Sequence, residues 1–145
     1  MGSKIRLGIL GGGVDSLIGV LHRVAANMFD QYDIVGGVFN PDWEENVSFA
    51  KKIGLATHRV YKDFETLIKE EVRLPENERM QVISILTPNF LHYPMAKKLL
   101  ENGFHVICEK PLTTTYNEAL DLKKTQELSN SVFAVTYTYT GYPMV

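Results

Sequence analysis

Cysteine is almost absent from this sequence of 145 residues. The single cysteine, Cys108, excludes an internal disulfide framework, and no spacing of cysteines and histidines resembles a zinc site. We therefore expect no bound metal. A chain without disulfides is also typical of a reducing compartment, so we expect a cytoplasmic protein.

Long apolar runs and an excess of charge of one sign are also missing. No stretch approaches the roughly 20 apolar residues of a membrane span, and the apolar run before the first glycines is too short for a signal peptide. The net charge of −2 and the isoelectric point near 6.1 provide no basic field for a polyanion. We expect neither nucleic acid nor a membrane as a partner.

What is present is an ordinary globular composition, 45% hydrophobic and 22% charged, of single-domain length. Apolar strands alternate with amphipathic helices, which predicts an α/β fold: a doubly wound, mainly parallel Rossmann sheet with both faces covered and strand order 3-2-1-4-5-6. Pro94 fits a helix only in its first turn, so the helix that contains it should begin near Leu91. Asp63 is predicted to cap the preceding helix. The six predicted strands are residues 4–10, 33–39, 59–61, 81–86, 104–108 and 132–137.

A glycine-rich turn follows the first predicted strand. Gly11, Gly13 and Ser16 have the spacing of GxGxxG, with Val14 inside the turn and Ser16 in the place of the third glycine. The first glycine permits a tight turn, the second lets a pyrophosphate approach the backbone, and the third position needs a small residue where helix and strand pack. The helix that follows offers free N–H groups to the phosphates. The motif indicates dinucleotide binding, and the alternative is a structural turn that holds no phosphate.

The end of the second predicted strand bears on the choice of dinucleotide. Asn40 stands where an acidic residue commonly reads the adenosine ribose, and no arginine or lysine is adjacent to attract a 2′-phosphate. Both NAD and NADP remain possible cofactors, and this pattern favours NAD. Asp42, two residues further on, is better interpreted as a helix N-cap.

Polar residues also follow the fourth predicted strand, which should lie beside the first. Thr87, Pro88, Asn89 and His92 would then border the nicotinamide half of a dinucleotide, since ligands of such sheets lie at the carboxyl ends of the strands near the switch point. The alternative is that Asn89 only caps the next helix and that His92 is an exposed helical residue.

An acid and a base end the fifth predicted strand. Lys110 should lie at the same edge of the sheet, with Pro111 fixing the backbone behind it and Glu109 orienting or charge-balancing it. A lysine in this place can donate a hydrogen bond to a reacting oxygen or exchange a proton with it. The alternative is an ordinary surface salt bridge between Glu109 and Lys110.

Three stretches of the chain resemble the Gfo/Idh/MocA oxidoreductases. They are "GGGVDSLIGVLHR", "TPNFLHYPMAKKLLENGFHVICEKPLTTT" and "VTYTYTGYPM", and together they span nearly the whole sequence. The resemblance implies an NAD(P)-binding Rossmann domain over residues 1–136 and a linker at 137–145. A second domain, expected beyond Val145, would supply substrate contacts, the catalytic Asp and His, and the interface of a homo-oligomer.

The same resemblance implies an activity. Members of this family transfer hydride between nicotinamide and a hydroxyl carbon of a sugar, cyclitol or related polyol. By position, Gly11, Gly13 and Ser16 match the pyrophosphate turn. Lys110 matches the catalytic lysine that contacts the nicotinamide ribose and the substrate oxygen. Residues 1–145 by themselves are then expected to bind the cofactor weakly and to catalyse no reaction. The alternative is a non-catalytic NAD(P)-binding sensor or scaffold, against which the position of Lys110 argues.

Overall fold

A parallel sheet of five strands forms the centre of the protein in a computed structural model that describes residues 4–143. Residues 144 and 145, the end of the predicted linker, lie outside the described part. The strands occur in the order β2-β1-β3-β4-β5, and every neighbouring pair is parallel. Their bounds are Ile5–Gly11 (β1), Tyr32–Val38 (β2), Val82–Leu86 (β3), His105–Glu109 (β4) and Phe133–Thr136 (β5).

Helices cover both faces of this sheet. Because side chains alternate along a strand, each strand contributes to two separate cores. Leu7 and Ile9 pack on one face with the helices that follow β1 and β2, whereas Ile83 and Val106 pack on the other face with the remaining three helices. The helix bounds are Leu17–Met28 (α1), Trp43–Lys52 (α2), Phe64–Glu71 (α3), His92–Glu101 (α4) and Tyr116–Ser129 (α5).

The predicted third strand, residues 59–61, is wrong as a strand. Only an isolated bridge between Gly37 and Val60 and a 3.0 Å hydrogen bond from Tyr61 N to Gly37 O join this segment to β2. A 3₁₀ turn at Thr57–Arg59 precedes it, and the N-cap of α3, Asp63, follows almost at once. Too few extended residues are left for a ladder, so the sheet has five strands in place of the expected six, and the other five keep the predicted order.

Local sequence signals set the helix starts as predicted. Asp42 accepts a hydrogen bond from Glu45 N at 2.9 Å, and Asp63 accepts one from Thr66 N at 2.7 Å, so both are N-caps. Helix α4 begins at His92 after a short 3₁₀ turn, which places Pro94 in its first turn, where no N–H is needed.

A buried carboxylate lies near the amino ends of the strands. Glu71, at the end of α3, has no exposed surface and accepts two hydrogen bonds from the Arg59 guanidinium, at 2.9 and 2.8 Å. The Tyr61 hydroxyl and Met80 N, the latter at 2.8 Å, donate to the same carboxylate. This ion pair ties the segment before α3 to the start of β3.

No helix within residues 4–143 is long and apolar enough to cross a lipid bilayer. In the same part of the chain, no three histidine, cysteine or acidic side chains are grouped closely enough to hold a metal ion.

Candidate functional site

The carboxyl ends of β1, β2 and β3 border a cleft of about 580 Å³. It brings together predicted site residues from distant parts of the chain, namely Gly11, Asn40, Thr87 and Pro88. A second cavity of about 560 Å³ adjoins Asn40 and is also lined by Val14. Lys62 also lines the cleft and was not predicted as a site residue, although the short extended segment before it ends at this edge of the sheet. The two cavities share Asn40 as a lining residue, and we call them together the groove; their place at the carboxyl ends of the strands suits a dinucleotide.

The glycine turn has the backbone conformation that the motif requires. Gly11 and Gly12 have φ of +80° and +67°, a region that other residues rarely adopt. A Cβ on Gly13 would lie 2.6 Å from the carbonyl oxygen of Phe39, so a side chain there would push the turn away from β2. The turn therefore exposes backbone, not side chains, to the groove.

The assignment of Ser16 as the third small position of the motif is wrong. Ser16 is the N-cap of α1, and its hydroxyl accepts a hydrogen bond from Gly19 N at 3.1 Å. The close approach of helix and turn occurs at Gly19, where a Cβ would lie 2.2 Å from the carbonyl oxygen of Gly12. The turn is longer than the motif assumes. The sequence signal for this close contact was Gly19 itself, a glycine inside a predicted helix.

Arg23, one turn further along α1, holds the same turn from the helix side. Its guanidinium donates to the carbonyl oxygen of Gly12 at 2.7 Å and lies 5.0 Å from the centroid of the Phe49 ring. Burial lowers the pKa of Arg23, which nevertheless stays charged at any pH of interest. Arg23 was not predicted as a site residue, because its local sequence pattern is the same as that of an exposed helical arginine.

An acid does stand beside Asn40, although not at its own position. Asn40 Nδ2 donates to a carboxylate oxygen of Glu45 at 2.6 Å, and its Oδ1 accepts from Asp42 N at 2.8 Å. Glu44 and Glu45 both line the cavity next to Asn40. The negative charge expected at the end of the second strand is thus supplied by the first turn of α2.

The ends of β3 and β4 are joined by side chains of the TPNxxH stretch. Asn89 Nδ2 donates to the carbonyl oxygen of Pro111 at 2.6 Å. His92 is only 1% exposed, and its two ring nitrogens lie 2.9 Å from Pro111 O and 2.8 Å from Thr87 O. The interpretation of His92 as an exposed helical residue is therefore wrong. Direct contact between His92 and a cofactor is also disfavoured, because both ring nitrogens already face backbone carbonyls. The His92 side chain instead fixes the loop between the ends of β3 and β4.

Lys110 is exposed at this edge of the sheet, beside the clamped loop. Its ammonium forms no ion pair with any residue of the described range 4–143, and the peptide bond to Pro111 is cis. The alternative of a surface salt bridge with Glu109 is wrong, because the Glu109 carboxylate lies on the other face of the sheet and pairs with His22. Lys110 is left free to contact a ligand.

Glu109 is 6% exposed and borders a cavity of about 530 Å³ on the α1 face of the sheet. Its carboxylate lies 2.9 Å from His22 Nε2 and accepts hydrogen bonds from the Thr136 hydroxyl and from Lys110 N, the latter at 3.2 Å. Burial raises the pKa of Glu109, but the hydrogen bonds from Thr136 and His22 outweigh it, so the pKa lies below its usual value. Glu109 is therefore a carboxylate at neutral pH.

A model of an oxidoreductase family with an NAD-binding Rossmann fold, Gfo/Idh/MocA, matches residues 5–137. The chain is 34% identical to the uncharacterized oxidoreductase YfiI of Bacillus subtilis over 142 residues, which cover 97% of this chain and 36% of that protein. It is 26% identical over 133 residues to the scyllo-inositol 2-dehydrogenase (NADP⁺) IolW of the same organism, over 90% of this chain and 32% of that one.

Solved structures show the same likeness. An inositol dehydrogenase homolog from Azotobacter vinelandii, crystallised with NADH and myo-inositol, superimposes with a TM-score of 0.94 at 37% identity, over 99% of this chain and 38% of that one. The chain thus spans about a third of the length of these relatives. Since the family match extends over nearly all of its residues, the chain belongs to the Gfo/Idh/MocA oxidoreductases and forms their NAD-binding Rossmann domain.

Proposed function

We propose that the groove binds NAD(H) in one defined direction. The pyrophosphate lies against the turn from Gly11 to Ser16 and the first N–H groups of α1, where the helix dipole favours negative charge. The adenosine ribose lies beside Asn40, and the nicotinamide passes Thr87 and extends towards Lys110. The combination of a glycine turn, a helix N-terminus and two adjoining cavities at the strand ends supports this proposal.

We propose further that the protein oxidises or reduces a CH–OH group of a sugar, cyclitol or related polyol. A nicotinamide held near Thr87 and Lys110 would supply the hydride chemistry. Lys110 holds the reacting oxygen by a hydrogen bond from its ammonium, which stabilises negative charge as the hydroxyl proton leaves. The single observation that carries this role is the exposed ammonium at the carboxyl edge, free of an ion pair within residues 4–143. The polyol relatives support the substrate class.

NAD is the expected cofactor in preference to NADP. Glu45 is hydrogen-bonded to Asn40, and Glu44 and Asp42 lie in the same turn, so a 2′-phosphate at this ribose would meet negative charge. Lys62 lines the neighbouring cleft and acts in the opposite direction. The hydrogen bond to Asn40 holds the Glu45 carboxylate beside the expected position of the ribose. We therefore expect the negative charge of the acidic turn to outweigh the positive charge of Lys62.

The binding proposal is tested by titrating the chain with NADH and NADPH and following the fluorescence of the reduced nicotinamide. We expect NADH to bind more tightly than NADPH. Glu45→Gln should reduce the ratio of the two affinities about tenfold, because one nearby negative charge is removed. Glu101→Gln, an exposed acid at the far end of α4, is the matched control and should leave the ratio unchanged. Equal affinity of the wild type for both dinucleotides would contradict the cofactor assignment.

The catalytic proposal is tested in a protein that joins this chain to the expected second domain, because residues 1–145 alone are expected to catalyse nothing. Turnover is assayed with a panel of polyols. Lys110→Ala should lower turnover by about 10²- to 10⁴-fold, the usual contribution of a positioned acid or base, with much smaller loss of NADH affinity. Lys62→Ala serves as a control for a lysine in the groove that is not at the nicotinamide end. NADH binding without turnover of any polyol by the wild-type protein that contains both domains would instead favour a sensor or scaffold.

A further inference from the structure

Glu109 and Lys110 are consecutive residues, but their side chains lie in different parts of the molecule. Lys110 is exposed at the carboxyl edge, whereas Glu109 is directed to the α1 face and is nearly buried. The Glu109 carboxylate accepts a hydrogen bond from the backbone N–H of Lys110 at 3.2 Å. The orientation of the Lys110 backbone is therefore coupled to groups on the far face.

Two further elements of the fold contact that carboxylate, and a third contacts His22. His22 from α1 lies 2.9 Å from it, and the hydroxyl of Thr136 from β5 donates to it. The other ring nitrogen of His22 lies 3.0 Å from the hydroxyl of Ser84, in the middle of β3. The cluster thus joins α1, β3, β4 and β5 around one charge.

Hydrogen-bond chemistry sets the direction of these contacts. An ionised carboxylate only accepts, so the proton between His22 and Glu109 belongs to His22 Nε2. The Ser84 hydroxyl can donate to Nδ1 or accept from it, so it holds the ring in either protonation state. We assign no nucleophilic role to Ser84, because it is 1% exposed within a strand and its hydroxyl is held by His22.

His22 is also tied to the turn that would hold the pyrophosphate. It lies on α1 between Gly19, which packs against Gly12, and Arg23, which donates to the Gly12 carbonyl. A shift of α1 would therefore move the glycine turn and the Glu109 carboxylate together. The cluster connects the two ends of the proposed groove through the interior of the protein.

We propose that His22, Ser84 and Thr136 are positioning residues, which fix Glu109 and through it the backbone of Lys110 for contact with the nicotinamide half of the dinucleotide. This inference rests on the function proposed above. It predicts that loss of the cluster weakens the grip on the nicotinamide half and leaves the adenosine half nearly unaffected.

The test compares two ligands that share the adenosine and pyrophosphate groups: NADH, and ADP-ribose, which lacks nicotinamide. Calorimetric titration should show that His22→Ala weakens NADH binding about tenfold, the effect of losing one hydrogen bond to a charged group, while ADP-ribose affinity changes less than about twofold. His22→Gln, whose amide can still donate to the carboxylate, should restore much of the NADH affinity. The exposed His58→Ala is the matched control and should bind both ligands as the wild type does.

A second variant protects the test if His22→Ala fails to fold. Thr136→Val keeps the shape of the side chain and removes one donor to Glu109, and we expect it to weaken NADH binding by about threefold, with ADP-ribose again unchanged. In ¹⁵N spectra, each of these variants should shift the backbone amide resonance of Lys110, whereas His58→Ala should not.

Equal loss of both ligands, or no loss of either, would overturn this inference and leave the proposed function intact. An unshifted Lys110 amide in His22→Ala or Thr136→Val would also overturn it. A wild-type chain that binds neither ligand would instead overturn the proposed function, and the inference with it.

Discussion

The two most deeply buried acidic side chains of this protein, Glu71 and Glu109, differ in almost every respect except burial. Glu71 lies near the amino ends of the strands and is held by a guanidinium, a phenol and a backbone N–H. Glu109 lies at the carboxyl ends and is held by an imidazole, a hydroxyl and the backbone N–H of Lys110.

The partners show what each carboxylate does. Arg59 is permanently charged and bidentate, so the contact with Glu71 is a fixed structural brace. His22 is an imidazole that makes a single contact with Glu109, and Glu109 borders a cavity and precedes the proposed catalytic lysine. Burial of a charge is thus no guide to function by itself. The chemistry of its partners and the edge of the sheet on which it lies separate a brace from a site.

The largest effect is expected at the brace. Glu71→Gln removes the charge that compensates Arg59 and should lower the free energy of unfolding by about 3–5 kcal/mol, because one buried charge is left unpaired. Urea unfolding of both proteins measures this change in the free energy of unfolding. Glu70→Gln is the control, since Glu70 forms only an exposed pair with Arg73 and should change stability by less than about 1 kcal/mol.

NADH affinity per folded molecule should not change in Glu71→Gln, because the brace does not border the groove. A Glu71→Gln variant as stable as the wild type would show that the brace contributes no more than a surface pair, and the contrast with Glu109 would lose its basis.

A smaller and pH-dependent effect is expected at Glu109. Its pKa in the folded protein lies below the unfolded value of about 4.3, so its contribution to stability is fully present above that pH and is lost as the pH falls through the folded pKa. Glu109→Gln should therefore cost about 1–2 kcal/mol at neutral pH, as expected for weakened hydrogen bonds to a charged group.

Urea unfolding of the wild type and Glu109→Gln, from about pH 7 down to about pH 3, checks this sign. The difference between the two proteins should shrink below about pH 4. A gap that stays constant over this range would mean that the charge of Glu109 contributes nothing and that only its shape matters.

The last prediction concerns reactivity and not stability, at Cys108, which precedes Glu109 and points into the core of the opposite face. Burial and, to a lesser degree, the negative charge of Glu109 raise the pKa of its thiol to about 12. Near pH 8 the thiolate fraction should be about 10³-fold lower than in the unfolded chain, so a thiol reagent should react slowly with the native protein and rapidly in urea. Fast native labelling would show that β4 opens at this point.

Several parts of the fold were predictable from local sequence. Asp42 and Asp63 cap helices, and Pro94 lies in a first turn, because each of these effects is decided within a few residues. The third strand was predicted wrongly, because a 3₁₀ turn and a helix cap compete for the same short segment. The resemblance to the Gfo/Idh/MocA family was confirmed by the family match.

The site was less predictable than the fold. The packing role of Gly19, in place of Ser16, depends on the length of the turn, which the motif does not reveal. The contact between His22 and Glu109 joins residues 87 positions apart and follows only from the packing of α1 on β4. Glu45 replaces the missing acid at Asn40 through the geometry of a helix start, which strand patterns do not describe.

The place of β1 in the sheet has a consequence for how the chain folds. This strand is the first of the five in chain order, yet it lies between β2 and β3 and pairs with residues as late as Leu86. During synthesis one of its edges must stay open until β3 has emerged, and parallel pairing is non-local and slow. The strand that ends in the glycine turn therefore waits longer for its second neighbour than any other strand of this sheet.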